Sequence, residues 1–222
     1  LGLQGTVESQ YLQNWARRVI PTMGTGWQHM FPEDFLYTDV NYPETDFNQL
    51  PLAYLAGATT SDAGLGWVNS RSSWADDAVS VSFISADRVQ NHQHKDQNSF
   101  VIYKGSGLEG WLAIDANFCS GSNGLTKGGD VHNILMVNGQ DQRYADFDRK
   151  PVKHEFTNEY SYVVGDAADA YWTNPGAYSS GGEPYLKTYL RELVHAMPNY
   201  VIVYDRVTPL SKYSNVPITY LL

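Results

Sequence analysis

The chain has 222 residues, enough for one large β domain or for one domain with an appendage. Its formal net charge of −9 argues against nucleic acid and membrane surfaces as partners, and no apolar run is long enough to span a bilayer. An acidic substrate would need a local basic patch, because the long-range field repels it.

Aromatic residues make up 14 % of the chain, with 16 Tyr and 6 Trp, while charged residues make up 18 %. That balance favours strands and flat binding surfaces over helical bundles. Flat ring faces also suit the C–H surfaces of sugars; a β protein that is merely Tyr-rich is the alternative, and composition does not choose. Cys119 is the only cysteine, so no internal disulfide forms, and it reads as a small buried residue. The chain opens on Leu1 without a charged segment followed by an apolar one, and closes on Pro217, Ile218, Thr219, Tyr220, Leu221 and Leu222, a strand cut short. The expectation is a fragment of a longer chain.

Residues 1–65 read as the tail of an α-helical domain and a linker. Over residues 7–20, Tyr11, Leu12, Trp15 and Val19 fall at helical spacing and Pro21 stops the run. Gly24, Thr25 and Gly26 make a loop, residues 27–42 are aromatic-rich and irregular, and residues 50–58 read as a short helix ending at Gly57. From Gly66 the period becomes two. Residues 67–72 and 78–83 alternate apolar with small polar side chains. Residues 100–104 and 111–115 flank the Gly-rich segment 105–110, which predicts a hairpin. Residues 132–137 read as a strand closed by the Asn138-Gly139 turn, and residues 154–164 as another. Residues 185–195 and 200–207 pair across Met197, Pro198 and Asn199. Several short strands separated by turns predict a mainly β fold: an antiparallel, supersandwich-like β-sandwich over residues 66–222, truncated at its C-terminus, behind a short helical N-terminal segment.

The densest polar cluster feeds one of these strands. His92, His94 and Asp96 precede the apolar run from Phe100, Asp115 ends the facing strand, and His132 opens a later one. His92 and His94 project to the same side of an extended chain. Zinc takes about four ligands from these residue types. In a simple hairpin Asp115 sits opposite Phe100, leaving His94 on the order of 20 Å away along a straight chain. Sharing a metal therefore requires residues 95–99 to fold back. By spacing alone, a metal site and a set of surface-loop histidines both stay open.

The ordered set His92-Gln93-His94-Lys95-Asp96-Gln97-Asn98-Ser99-Phe100, then Leu112-Ala113-Ile114-Asp115, then His132-Asn133, resembles the heparinase II/III family of polysaccharide lyases. Ser70-Arg71-Ser72-Ser73-Trp74 upstream, and Arg191 with residues 200–207 downstream, resemble that family's β domain as well. The resemblance implies an (α/α) toroid followed by a β-sandwich, with a uronic-acid-containing polysaccharide, such as a glycosaminoglycan or alginate, cleaved between them by β-elimination. It implies that His94, Asp115 and His132 hold a structural zinc and that His92 lines the catalytic cleft. The toroid supplies a Tyr and a His for proton transfer in that family, so the fragment alone is expected to be inactive. It further implies a bacterial protein of the periplasm or the medium.

Other residues carry weaker signals. Arg71 is a candidate partner for a substrate carboxylate or sulfate, against a structural role near Trp74. Lys95 is a candidate local positive charge beside the histidines, against a solvated loop lysine. Asp96 either orients a histidine from behind or caps the turn. Arg191 and Asp205 fall on adjacent strands and read as a structural ion pair. Tyr160, Tyr162, Tyr171 and Trp172 read as packing residues before a sugar-contacting wall, and His29, His154 and His195 as structural. The alternative to a lyase is a non-catalytic carbohydrate-binding or interdomain β-sandwich module.

Overall fold

Alternation decides the strands. In Val79–Ile84 the side chains of Val79, Val81 and Phe83 are buried, while Ser80, Ser82 and Ile84 on the other face are half-buried. The computed structural model describes residues 6, 9–12, 46–56, 66–86, 94–105, 108–115, 128–143, 151–174 and 181–222. Two units are distinguished, Leu1–Leu50 and Pro51–Leu222.

In the first unit residues 9–12 are helical, inside the expected helix, most of which lies outside the described residues. Thr6 bonds to its first described residue: the Thr6 Oγ1 accepts the Ser9 amide at 3.2 Å, and the Ser9 hydroxyl donates to the Thr6 carbonyl at 2.7 Å. A 3₁₀ turn at Phe47–Gln49 is opened by Asp46, whose Oδ1 accepts the Asn48 amide, and the Phe47 ring lies 6.1 Å from that of Tyr11.

The second unit is built from antiparallel sheets. The first is a five-stranded meander in chain order: β1 (Ala53–Ala56), β2 (Trp67–Arg71), β3 (Val79–Ile84), β4 (Phe100–Lys104) and β5 (Trp111–Ala113). A two-stranded sheet pairs β6 (Leu135–Val137) with β11 (Ile218–Tyr220). The third sheet holds β7 (Lys153–Phe156), β8 (Tyr160–Asp166), β9 (Leu186–Ala196) and β10 (Tyr200–Pro209), in the spatial order β10-β9-β8-β7. Val68, Val79, Val81, Phe83 and Phe100 from the five-stranded sheet pack on Val163 and Leu193 from the four-stranded one. That is a sandwich core, and full burial of each such side chain stabilises by about 1.5–3 kcal/mol. A second cluster joins Leu135 and Val137 of β6 to Tyr171, Leu186 and Tyr189. Among the described residues no helix is long and apolar enough to cross a membrane.

A buried polar chain crosses the sandwich. Ser161 of β8 donates to Ser70 of β2 at 2.8 Å, and Ser70 Oγ lies 2.8 Å from Nδ1 of His195 on β9. Burial lowers the His195 pKa below the ordinary histidine range.

Four local expectations change. Ala53–Ala56 is a strand, not part of a helix at 50–58: it pairs with β2, and Ala53, opposite Ser70, is buried. Edge pairing and burial outweigh the helix propensity of a short apolar run. The sandwich thus takes in residues read from sequence as linker. The strand at 154–164 is two strands, because Thr157 Oγ1 accepts the amides of Glu159 and Tyr160 and turns the chain. In the hairpin, Tyr103 rather than Lys104 faces Trp111, and a bulge absorbs Leu112 before Ile102 meets Ala113. His132 lies outside the strand expected at 132–137. It follows a 3₁₀ turn at Gly129–Val131, with its amide donating to the Gly129 carbonyl at 3.1 Å.

Candidate metal centre

The segment before β4 folds back. Asn98 takes the left-handed conformation, φ +61°, which Asn tolerates better than most residues. The Ser99 amide then donates to the Asp96 carbonyl at 2.9 Å, and the Asn98 amide to the Ile84 carbonyl at 2.8 Å. Two buried glutamines lock the turn: the Gln97 amide donates to Gln142 Oε1, and Gln142 Nε2 donates back to the Gln97 carbonyl, both at 2.8 Å. This closes the gap that straight-chain spacing leaves between His94 and Asp115.

The turn before His132 is tied to the same segment. Asp141 accepts the Gly129 amide through Oδ2 at 3.0 Å and the Lys95 ammonium through Oδ1 at 2.7 Å. Asn133 Nδ2 donates to the carbonyls of Phe100 at 2.7 Å and Ile114 at 3.1 Å, which fastens the residue after His132 to the residue before Asp115.

Three candidate ligands therefore meet. His94 Nδ1 lies 3.2 Å from His132 Nε2, and His132 Nδ1 lies 2.8 Å from Asp115 Oδ2. A proton on His132 Nδ1, donated to Asp115, leaves the Nε2 lone pair facing His94. Two nitrogens on one tetrahedral zinc, each about 2.0–2.1 Å from it, stand about 3.3 Å apart. Asp115 sits on the far nitrogen of His132, as a carboxylate that orients a liganding imidazole does. Two nitrogens converge; among the described residues no group of three or more His, Cys, Asp or Glu encloses a metal position. Asp115 Oδ1 and Asp96 Oδ1 are buried without a hydrogen-bond partner, a deficit that a cation would relieve. Burial raises the Asp96 carboxyl to about 6, with Asp115 adding to the rise and His132 opposing it. The residues fit a metal as two imidazoles with carboxylates beside them.

The other candidates fall elsewhere. His92 lies outside the described residues, as do Cys119 and His29. Lys95 is engaged with Asp141, its side chain 11 % exposed. Arg71 stacks on Trp74 at 4.3 Å and donates to the Ser73 carbonyl. Through its pairing with Ser80, itself opposite Tyr103, Arg71 sits three residues along the strands from Phe100. Tyr171 is core, Tyr160 and Tyr162 donate to Glu155 and Glu192, and Arg143 stacks on Trp172 at 3.8 Å. Gln97 and Asn133 enter the sequence reading only as members of the ordered set that carries the resemblance, with no role given to either, and Gln142 does not enter it.

No protein-family model matches the chain, and no curated protein matches it in sequence. Its fold does match solved structures. A crystal structure of the heparan sulfate lyase HepC from Pedobacter heparinus matches with a TM-score of 0.56 at 14 % identity, over 90 % of this chain and 28 % of that one. A mutant of the same lyase matches at TM-score 0.54 and 15 % identity, over 88 % and 28 %. A heparinase III structure matches at 0.52 and 15 %, over 90 % and 28 %. The chain thus spans under a third of the length of each of these three chains, and what it shares with them at this identity is the fold.

Proposed function

We propose that this chain is the β-sandwich portion of a polysaccharide lyase, one that cleaves a uronic-acid-containing polysaccharide by β-elimination with help from a preceding toroid domain. The observation that carries the reading is the meeting of His94, His132 and Asp115, brought from three separate loops onto a fold shared with a heparan sulfate lyase and a heparinase III. His94 and His132 would hold a structural zinc through Nδ1 and Nε2, and Asp115, expected from the resemblance as a third ligand, would orient His132 from its Nδ1 side. When bound, the zinc supplies fixed positive charge that ties the three loops together.

In the elimination a base takes the proton α to the uronate carboxylate, the bond from the β carbon to the glycosidic oxygen breaks, and the leaving oxygen is protonated. The products are an unsaturated uronide and a new chain end. Charge developing on the carboxylate side requires a positive or hydrogen-bonding neighbour. Within this chain His92 is the candidate for the cleft-facing acid–base group. The Asp115 carboxylate holds the proton on His132 Nδ1 and so keeps Nε2 available as a donor atom. Lys95, with its charge matched by Asp141, braces the loop that follows His92. Arg71 remains a candidate contact for a substrate carboxylate or sulfate. The setting would be the periplasm or the medium.

Elemental mass spectrometry of the purified chain and of His94→Ala tests the metal. The expected outcome is near-stoichiometric zinc in the first and its loss in the second, with a lower melting temperature. Activity is read on the longer protein that carries this chain, as ultraviolet absorbance of the unsaturated product from heparan sulfate, hyaluronan or alginate. Sugar binding without unsaturated product would favour the non-catalytic module.

A further inference from the structure

Arg191 lies on the inward face of β9 and is 1 % exposed. Its Nε and Nη2 donate to Asp205 Oδ1 and Oδ2, both at 2.8 Å, from the position directly opposite on β10. An ion pair needs only that edge of the guanidinium. The other edge does something different: Nη1 donates to the Asn98 carbonyl at 2.8 Å and to the Asn133 carbonyl at 2.6 Å. Asn98 belongs to the turn that begins at His94, and Asn133 follows His132. Asn133 in turn holds the carbonyl of Ile114, the residue before Asp115. One buried cation therefore grips, directly or through one amide, all three loops that carry the candidate ligands.

We infer that Arg191 is the positioning residue of this site, setting the approach of His94 to His132 by holding both loops through their backbone. A guanidinium is planar and presents its donors in a fixed fork, so its two edges can serve Asp205 and two carbonyls at once. A lysine at the same place offers one nitrogen, which pairs with Asp205 but cannot also span both carbonyls. The spacing matters because metal–ligand distances hold to within about 0.2 Å. The metal arm of this inference rests on the zinc reading above; the arm that concerns the His94–His132 approach does not.

The test uses the whole 222-residue chain as wild type, Arg191→Lys and Val79→Ala, the last a core truncation opposite Lys104, four residues along the strands from the Phe83–Phe100 pair, that lowers stability away from the site. Two quantities are read: zinc affinity, by competition with a chromogenic chelator, and the low-field Nδ1 proton of His132 in metal-free protein by NMR. Arg191→Lys is expected to weaken zinc by about 10- to 100-fold and to move or broaden the His132 signal. Val79→Ala should leave both unchanged. Wild-type affinity together with an unmoved His132 proton in Arg191→Lys would overturn the inference. If the wild type takes up no zinc, the metal reading falls, and the His132 proton alone decides the role of Arg191. If Arg191→Lys does not fold, ¹⁵N-arginine-labelled wild type decides: the Arg191 Nη1 protons must shift and exchange more slowly on adding zinc, and unchanged signals would reject the role.

Discussion

Replacing Asn133 by Leu removes one amide nitrogen that serves two backbone carbonyls, one buried at Phe100 and one partly exposed at Ile114. Asn133 is 2 % exposed, and its Nδ2 donates to Phe100 at 2.7 Å and Ile114 at 3.1 Å. Both carbonyls lie past the last β4–β5 pair, Ile102 with Ala113, so the ladder itself does not satisfy them from that side. A buried acceptor stripped of its donor costs about 1–3 kcal/mol. Only the Phe100 carbonyl is buried and Leu returns part of that cost by its own burial, so the net loss is about 1–3 kcal/mol. For a chain of this length each kcal/mol moves the melting temperature by about 2–4 °C, so the drop should be about 2–12 °C. Urea unfolding followed by circular dichroism should show a lower midpoint at unchanged slope. Asn133→Asp should fare worse at neutral pH, because an acceptor-only carboxylate then faces two carbonyl oxygens. A midpoint for Asn133→Leu equal to wild type would refute the reasoning, since it would mean the two carbonyls have other partners.

Three further outcomes follow from particular contacts. Gly165→Ala should destabilise by about 1–3 kcal/mol in thermal melts, because the added methyl would lie 2.1 Å from Asn98 Oδ1 and 2.8 Å from the Phe83 ring; Asn98 is pinned by its own bond to the Gly165 carbonyl. His195 is held neutral by burial, so its contribution to stability is fully present above the unfolded histidine pKa of about 6.5 and is lost as pH falls through the depressed folded value. The melting temperature of wild type should therefore fall more steeply below pH ~6.5 than that of His195→Gln, and parallel curves would count against a buried neutral imidazole. A double-mutant cycle of Lys95→Met with Asp141→Asn should give a coupling of about 1–2 kcal/mol, given the 2.7 Å separation and the mostly buried side chains; a coupling near zero would mean that Lys95 is held by something else.

What the sequence determined by itself is what period and residue type determine locally. Alternation in residues 79–84 requires one buried face, and no other placement of Val79, Val81 and Phe83 satisfies it. Asn138-Gly139 adopts positive φ at both positions, as that dipeptide at a tight turn should. Opposite charges at Arg191 and Asp205 on facing strands pair as their types require. The candidate ligands were also legible, as an ordered set of residue types, but spacing left their meeting open and only the family resemblance implied it. That meeting depends on contacts of long sequence separation: Gln97 with Gln142, Lys95 with Asp141, and Asn98 and Asn133 with Arg191. None of these leaves a local mark, because a loop amide or carbonyl has no preferred partner until the sheets bring one within about 3 Å. The same limit explains the short helix expected at 50–58, where an edge of β2, and not any property of the segment, made Ala53–Ala56 a strand. Residue type announces which groups can share a site; only the closed sandwich, by burying the backbone carbonyls of Asn98 and Asn133 where a single guanidinium satisfies both, brings the loops of His94 and His132 together with the two rings 3.2 Å apart.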